Sequence, residues 1–220
     1  LSHDLGNPLS RVLGYTHMLS QDRAQLSATH QQFVDFIMSE GEEMDRIIDD
    51  VLNLEQLRSG EFEPEQVDLK QLATNLALRH ELEMFQKQQT FRLDVPDTAI
   101  IVEGSQRHLS QALMNLLNNA IKYTPEGGGI NLSLIADGDR ARLAVSDTGY
   151  GIPAEAQAKI FTEFFRVKME STAKIRGTGL GLSLVKLVVE KHRGRVWFES
   201  EEGIGSTFYI ELPLAQNAAD

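Results

Sequence analysis

The sequence predicts an α+β protein in which a helical hairpin, forming a dimeric four-helix bundle, is followed by an α/β sandwich domain. Two long segments near the start carry apolar residues at alternating steps of four and three, which is the seam of an amphipathic helix. A stretch containing Gly60 and Pro64 ends this pattern and is typical of a linker. Beyond it, shorter helical and strand-like segments alternate, which predicts one mixed sheet covered by helices. We therefore expect a hairpin domain over residues 1–60, a linker over 61–66, a sandwich domain over 67–214 and a tail over 215–220.

The two predicted helices of the hairpin run over residues 1–21 and 29–58. The polar stretch between them is typical of a turn, and either Ser27 or Thr29 can cap the second helix. The seam of the second helix contains one polar residue, Glu40. Since two helices cannot close a core by themselves, the hairpin either dimerises into a four-helix bundle, which we favour, or folds back onto the rest of its own chain.

The second domain is predicted from shorter periodic segments and their turns. Ser105 is placed to cap its middle helix, and the turns at Asp137-Gly138-Asp139 and Gly203–Gly205 predict two β-hairpins. The predicted helices cover residues 69–86, 105–123 and 182–192, and the predicted strands cover residues 90–95, 99–103, 130–136, 142–146, 195–199 and 207–212.

Composition excludes several classes of function. A formal net charge of −11 argues against a nucleic-acid partner, which would require a basic face. The absence of cysteine excludes disulfides, thiol chemistry and cysteine-ligated zinc, and the six histidines show no metal-ligand spacing. No apolar run is long enough to span a membrane, and no signal peptide is present. The chain begins at Leu1 inside a helical pattern, so we expect a piece of a longer protein whose N-terminal part is missing.

The first helix carries a candidate reactive histidine. At about 100° per residue, His3 lies roughly 160–240° away from the apolar seam and therefore points outward. Asp4 flanks His3, and Asn7 shares its face one turn later. Pro8 cannot donate the helical hydrogen bond, so the helix should bend beside His3. These features indicate a reactive site; the alternative is an ordinary surface histidine near a helix start.

A glycine-rich stretch, GTGLGL at residues 177–182, comes directly before a predicted helix. Closely spaced glycines let the backbone approach a phosphate, and the helix N-terminus offers free N–H groups. The stretch is neither a Walker loop nor a dinucleotide fingerprint, because no Lys-Ser/Thr follows and Leu182 replaces the third glycine. Taken alone, it is equally consistent with a flexible turn.

A carboxylate ends one of the predicted strands, in the stretch SDTGYGIP at residues 146–153. Asp147, with glycines clearing space around it, can accept a hydrogen bond from the exocyclic amine of adenine. The same carboxylate would repel the carbonyl of guanine, so such a site would prefer ATP to GTP. A tight turn with a solvated aspartate is the alternative.

Three asparagines lie within five positions of a predicted helix, although asparagine is a poor helix former. Asn115 and Asn119 share one face, and Lys122 follows three residues later. Amide oxygens are ligands suited to Mg²⁺, and a lysine can pair with phosphate charge. The alternative is a polar, exposed helix face.

Together these stretches resemble the signature boxes of sensor histidine kinases, the transmitter half of two-component systems. Residues 2–9 resemble the box around the phosphoaccepting histidine, residues 115–122 the asparagine box and residues 161–166 the phenylalanine box. Asp147-x-Gly149-x-Gly151 and Gly177-x-Gly179-x-Gly181 resemble the two glycine boxes. All five occur in the family's order along nearly the whole chain. The resemblance implies a dimerisation and phosphotransfer hairpin, followed by an ATP-binding sandwich of the gyrase and histidine-kinase type.

The resemblance also implies roles for individual residues. His3 would be the phosphoacceptor, with Asp4 orienting its ring or taking its proton, and Asn7 would assist a phosphatase reaction. ATP would bind with Mg²⁺, which would take an oxygen from Asn119. Phe161 and Phe164 are expected to anchor the segment over the nucleotide by packing. The implied nucleotide-binding residues are Asn115, Asn119, Lys122, Tyr123, Asp147, Gly149, Gly151, Ile152, Arg166, Lys168, Gly177, Thr178, Gly179, Leu180, Gly181 and Leu182.

The implied function is ATP-dependent autophosphorylation of His3, followed by transfer of the phosphoryl group to an aspartate of a response-regulator receiver domain. The implied partners are a second copy of the chain, that receiver domain and an N-terminal sensor region. A cytoplasmic location is implied for this part of the protein, and an inner-membrane anchor of the whole is left open. The alternatives are a non-enzymatic, ATP-binding dimeric scaffold and a gyrase-type ATPase, and neither needs the box from His3 to Pro8.

Overall fold

A computed structural model of the protein describes residues 2–22, 25–60, 62–167, 172, 175 and 177–215, with the side chains of all of these except residues 2–8 and 43. The chain divides into two compact units, the first ending at Ser59 and the second beginning at Gly60.

The first unit is a hairpin of two helices, α1 (Ser2–Gln21) and α2 (Ala28–Ser59). Ser27 accepts a hydrogen bond from the N–H of His30 at 3.3 Å, so Ser27 rather than Thr29 caps α2. The two helices approach closely at Gly41, where a Cβ atom would lie 2.6 Å from Leu13 Cδ2. Leu9 is buried in this interface.

Part of the apolar seam predicted for the hairpin is exposed within the single chain, whereas Leu9 and Leu54 are buried. Met44, for example, is 54% exposed, although an apolar side chain of this size favours burial. The exposed apolar residues are Val12, Tyr15, Met18 and Leu19 on α1, and Phe33, Phe36, Ile37 and Met44 on α2. The hairpin therefore carries an apolar surface that its own two helices do not cover.

The second unit contains seven strands and four helices among the residues that the structure describes. Asp68 caps its first helix, since its carboxylate accepts the N–H groups of Lys70 and Gln71. Ser105 caps the second, as predicted. The elements are β1 (Glu65–Asp68), α3 (Leu69–Gln86), β2 (Thr90–Asp94), β3 (Ile101–Gly104), α4 (Gln106–Tyr123), β4 (Gly129–Asp137), β5 (Arg140–Asp147), α5 (Ala154–Gln157), α6 (Gly181–Lys191), β6 (Arg195–Glu201) and β7 (Gly205–Pro213).

The strands form two sheets, not the single mixed sheet predicted. The larger sheet has the order β2-β4-β5-β7-β6, with β2 parallel to β4 and the other neighbours antiparallel. β1 and β3 pair separately as an antiparallel ribbon. β1 was not predicted because only one of its four residues, Val67, is buried, so it shows no alternation. The four-residue α5 was missed because it is too short for a periodic signal.

The core of this unit lies between one face of the larger sheet and helices α3, α4 and α6. Alternate residues of β4 and β5 are buried, as expected for strands with one face on the core. The helices contribute fully buried leucines such as Leu117 and Leu184. This packing fixes the C-terminal end of α4, the end of β5 and the start of α6, which carry the candidate site.

Candidate functional site

The asparagine face of α4 lies against the start of α6. The amide nitrogen of Asn115 donates to the carbonyl oxygen of Gly181 at 3.4 Å. A Cβ atom at Gly181 would lie 3.5 Å from Asn115 Cγ, so the glycine backbone and the amide are in close contact. Asn119 and Lys122 are half-buried further along α4. The predicted asparagine box and second glycine box are therefore neighbours.

Asp147, the last residue of β5, is held in a tight loop. Its Oδ1 atom accepts the backbone N–H of Gly149 at 2.9 Å. Burial raises the pKa of Asp147 to about 6, although the backbone N–H groups of Gly149 and Ser206 act in the opposite direction. The carboxyl group is therefore ionised at neutral pH, but at a desolvation cost. A partly desolvated carboxylate is a strong acceptor for an N–H donor of a ligand.

The loop after Asp147 is seated on the end of α4. The N–H of Tyr150 donates to the carbonyl oxygen of Tyr123 at 3.2 Å. A Cβ atom at Gly149 would lie 2.4 Å from that same oxygen, so only glycine fits there. Tyr123 is thus placed beside the adenine-binding candidate Asp147 by backbone contacts.

The second glycine of this loop packs against the turn between β6 and β7. Gly151 has φ +65°, and a Cβ atom there would lie 1.9 Å from the carbonyl oxygen of Glu201. The N–H of the next residue, Ile152, donates to Ser200 Oγ at 2.9 Å. Both contacts hold the loop against the sheet. The sequence analysis missed Ser200, and no local signal marks it, because it lies 48 positions from Ile152.

The second glycine stretch runs into the N-terminus of α6, which begins at Gly181. Gly179 has φ +75°, and a Cβ atom there would lie 2.9 Å from Phe164 Cα. Thr178 Oγ1 accepts the N–H of Leu180 at 3.2 Å, and Leu180 is fully buried. At Gly177, in contrast, none of the described residues lies within 4 Å of the position of a Cβ atom. This geometry presents backbone N–H groups at a helix start, where anions bind readily.

The two phenylalanines expected to anchor the preceding segment differ. Phe161 packs edge-on against Phe198, with ring centroids 6.0 Å apart. Phe164 is 61% exposed, so the expectation that it anchors by packing is wrong. Its backbone rather than its ring makes the close contact, since Phe164 has φ 60° and lies against Gly179. The guanidinium of Arg166 donates to the carbonyl oxygen of Ile175.

The structure thus places two groups of predicted nucleotide-binding residues along α4. Asn115, in the middle of α4, contacts the second glycine stretch, and Tyr123, at its C-terminal end, contacts the loop that follows Asp147. The predicted residue Lys168 and the side chains of His3, Asp4 and Asn7 lie outside the described residues. Among the described residues, no group of three or more His, Asp or Glu side chains could hold a metal ion.

Comparisons with known proteins give the class. Residues 1–60 match the His Kinase A (phospho-acceptor) domain. Residues 104–216 match the family described as histidine kinase-, DNA gyrase B- and HSP90-like ATPases. The chain therefore belongs to the sensor histidine kinases of two-component systems.

Individual relatives agree with this membership. The chain is similar to the sensor histidine kinase WalK of Bacillus subtilis, at 32% identity over 224 residues, covering 100% of this chain and 36% of WalK. It is also similar to the circadian input-output histidine kinase CikA of Synechococcus elongatus, at 34% identity over 218 residues, covering 97% of this chain and 29% of CikA. The chain spans about a third of the length of these two curated relatives.

Solved structures confirm the predicted fold of a helical hairpin followed by an α/β ATP-binding domain. Full-length ShkA, crystallised in complex with AMPPNP, has a TM-score of 0.79 and 30% identity, covering 100% of this chain and 46% of ShkA. The catalytic domain of the histidine kinase ThkA has a TM-score of 0.61 and 30% identity, covering 69% of this chain and 98% of that domain. In the part of this chain that the structure describes, no helix is long and apolar enough to cross a membrane.

Proposed function

We propose that this chain is an ATP-dependent protein histidine kinase that autophosphorylates His3 and passes the phosphoryl group to an aspartate of a response regulator. The observation that carries the proposal is that α4 contacts both glycine stretches, with Asn115 against the α6 N-terminus and Tyr123 against the loop that follows Asp147. A carboxylate, amide oxygens and a glycine-lined helix start are the groups that an adenine nucleotide requires.

The nucleotide would bind with its adenine at Asp147 and its phosphates towards α6. The carboxylate of Asp147 accepts a hydrogen bond from the exocyclic amine of adenine. Ile152 follows in the same loop. Lys122, Tyr123, Arg166 and Lys168 contact or neutralise phosphates. The backbone of Gly177, Thr178, Gly179, Leu180, Gly181 and Leu182 approaches the triphosphate. The complex of the similar protein ShkA with AMPPNP supports the binding of a nucleotide to this chain.

The residues present fit an ATP–Mg²⁺ complex. Asn119 lies one turn from Asn115 on the face that contacts Gly181, and its amide oxygen is a ligand suited to Mg²⁺. Bound Mg²⁺ would neutralise charge on the phosphates and leave most of its coordination to water and phosphate oxygens. The role of Asn119 is to fix the metal beside the helix, and the role of Asn115 is to hold the start of α6 in place.

Transfer to His3 is an in-line substitution at the γ-phosphorus. A nitrogen of the neutral imidazole forms the new N–P bond as the bond from phosphorus to the β,γ-bridging oxygen breaks, and ADP leaves. Asp4 orients the ring or takes its proton. Positioning of the two reactants supplies most of the rate enhancement. The phosphoryl group then passes to the carboxylate of the receiver domain.

The hairpin would provide the binding surface for two protein partners, a second copy of the chain and the receiver domain. The exposed apolar residues of α1 and α2 support a homodimer that completes a four-helix bundle, because covering them removes apolar surface from water. The receiver domain would dock on the same bundle near His3. A sensor region of the longer protein would supply the signal, and this part of the protein would be cytoplasmic.

The proposal is tested by incubating the protein with Mg²⁺ and γ-labelled ATP. We expect protein-bound label that is labile to acid and stable to base, absent from a His3→Gln variant and retained by a His17→Gln control, since His17 is exposed on the same helix. Steady release of phosphate without bound label would favour the ATPase. Binding of ATP without protein-bound label would favour the scaffold.

Dephosphorylation of the receiver domain is a second activity that we propose for the region around His3. Asn7, one helical turn from His3, would orient a water molecule towards the aspartyl phosphate of the receiver. We expect Asn7→Ala to slow dephosphorylation of the receiver while the labelling of His3 persists. An unchanged dephosphorylation rate would refute this role of Asn7.

A further inference from the structure

Gln89, which the sequence analysis did not single out, lies between α3 and β2 and is only 7% exposed. Its side-chain amide nitrogen donates to the carbonyl oxygen of Ile121 at 3.0 Å and to that of Thr124 at 2.7 Å. Both N–H bonds of the amide are therefore used on the C-terminal end of α4. A buried glutamine is uncommon, so this position calls for a reason.

The end of α4 needs such donors because the last carbonyl groups of a helix have no partner inside the helix. The N–H of Thr124 bonds to Ala120 O, which leaves Ile121 O to be satisfied from outside. Lys87 Nζ donates to the same oxygen at 2.9 Å. The turn after α3 thus supplies two side chains, from Lys87 and Gln89, that hold one end of α4.

The end of α4 with its cap, residues 121–124, also contacts the loop that follows Asp147. Tyr123 lies between the two carbonyl groups that Gln89 binds, and Tyr123 O accepts the N–H of Tyr150. The segment from Ile121 to Thr124 is therefore tied on one side to the turn after α3 and on the other to the loop after Asp147. A movement of this segment would displace Tyr123 and unseat the loop that carries Asp147.

Gln89 uses only the N–H donors of its side-chain amide. Gln89 Oε1 is buried and has no hydrogen-bond partner among the described residues. An apolar side chain would avoid that penalty. The presence of an amide here is explained by its two N–H bonds to the end of α4.

We propose that Gln89 is a positioning residue for nucleotide binding, which acts by fixing the end of α4 on which the Asp147 loop is seated. The inference rests on the proposed function and extends it to a residue outside the signature boxes. Gln89 does not touch the nucleotide, so its effect passes through Tyr123 and the loop.

The test compares ATP binding in matched variants. Gln89→Met keeps the length of the side chain and removes both donors, whereas Gln86→Met makes the same change at an exposed position at the end of α3. Leu134→Ala is a second control, because it creates a cavity in the core at the far end of β4 and lowers stability without touching the loop. The dissociation constant of ATP with Mg²⁺ is measured by calorimetry at a temperature where circular dichroism shows each variant to be folded.

We expect Gln89→Met to weaken ATP binding about tenfold, because the nucleotide must then order a segment that two hydrogen bonds held in place before it bound. Gln86→Met and Leu134→Ala should stay within about twofold of the unmodified protein, even where Leu134→Ala lowers the melting temperature more. Binding by folded Gln89→Met within twofold of the unmodified protein would overturn the inference and leave the proposed function standing. If the unmodified protein itself binds no ATP, the proposed function fails, and the inference with it.

A variant at Lys87 tests the second donor to the carbonyl oxygen of Ile121. Lys87→Met removes one of the two donors to Ile121 O and should weaken ATP binding about threefold, since Gln89 still holds both carbonyl groups. If both variants fold, the losses should be non-additive, because the two side chains share an acceptor. If Gln89→Met does not fold, Gln89→Asn takes its place, because the shorter amide cannot reach both carbonyl groups; unchanged ATP affinity in folded Gln89→Asn would reject the positioning role.

Discussion

Replacing Asp147 with asparagine separates the stability cost of this carboxylate from its role in recognition. Burial raises the pKa of Asp147 from 3.8 to about 6. A tenfold change in an ionisation constant is worth about 1.36 kcal/mol, so keeping the group ionised at pH 7 costs the folded state about 3 kcal/mol. Asparagine has nearly the same shape and carries no charge, which removes this cost.

The sign follows from proton binding. Between pH 3.8 and about 6 the folded state binds more protons at Asp147 than the unfolded state does, so this group makes the protein less stable as pH rises. From pH 5 to pH 8 the stability of Asp147→Asn relative to the unmodified protein should therefore rise by about 1.4 kcal/mol. ATP binding should weaken about 100-fold at the same time, because the amide can present an N–H group to the amine of adenine.

The assay is urea unfolding of both proteins at pH 5 and pH 8, with ATP titrations at pH 8. Asp139→Asn is the matched control, because the side chain of Asp139 is 92% exposed in the turn between β4 and β5. A stability difference that is the same at both pH values would refute the account of Asp147 as a desolvated carboxyl group. Unchanged ATP affinity would refute its role in reading adenine.

Two further predictions concern the packing of the second unit. Gly151→Ala should destabilise the protein by at least about 3 kcal/mol, because the new Cβ would lie 1.9 Å from Glu201 O. Gly138→Ala, with a similar φ of +62° and open space, should cost about 1 kcal/mol, and equal losses in urea unfolding would contradict the packing argument. Burial also lowers the pKa of His192, so the folded state resists its protonation, and stability should fall as pH drops below 6.5. His192→Gln should flatten this fall between pH 7.5 and 5.5, whereas the exposed variant His30→Gln should not; parallel falls would show that His192 is not responsible.

Much of the fold could be predicted because each long element carries its own signal. The helix over residues 69–86 was predicted with the bounds that the structure has, since apolar residues recur there at helical spacing. The strand β1 was not predicted, and its first two residues fall in the predicted linker. Its hydrogen bonds go to β3, and only Val67 is buried. A short polar strand carries no local sequence signal for its pairing with a distant segment.

The site was predicted to a similar extent and for a similar reason. Short motifs identified Asn115, Asp147 and the glycines, because each motif lies on one element and needs particular residue types. Gln89 and Ser200 were not found, since both act through hydrogen bonds to the backbone of segments more than thirty positions away. A backbone N–H or C=O group has no sequence identity of its own, so a side chain that bonds to it cannot be recognised from spacing.

The glycines show how a motif can be located correctly and still be explained incompletely. From the sequence, closely spaced glycines indicate room for a phosphate. In the structure, a Cβ atom at Gly149 would clash with Tyr123 O, and one at Gly151 would clash with Glu201 O. A Cβ atom at Gly177 would have none of the described residues within 4 Å. The glycines beside Asp147 therefore serve packing, which holds a costly buried carboxylate in one orientation. In the proposed nucleotide site, this packing would fix the carboxylate before adenine binds, so that little of the binding free energy would be spent on ordering it.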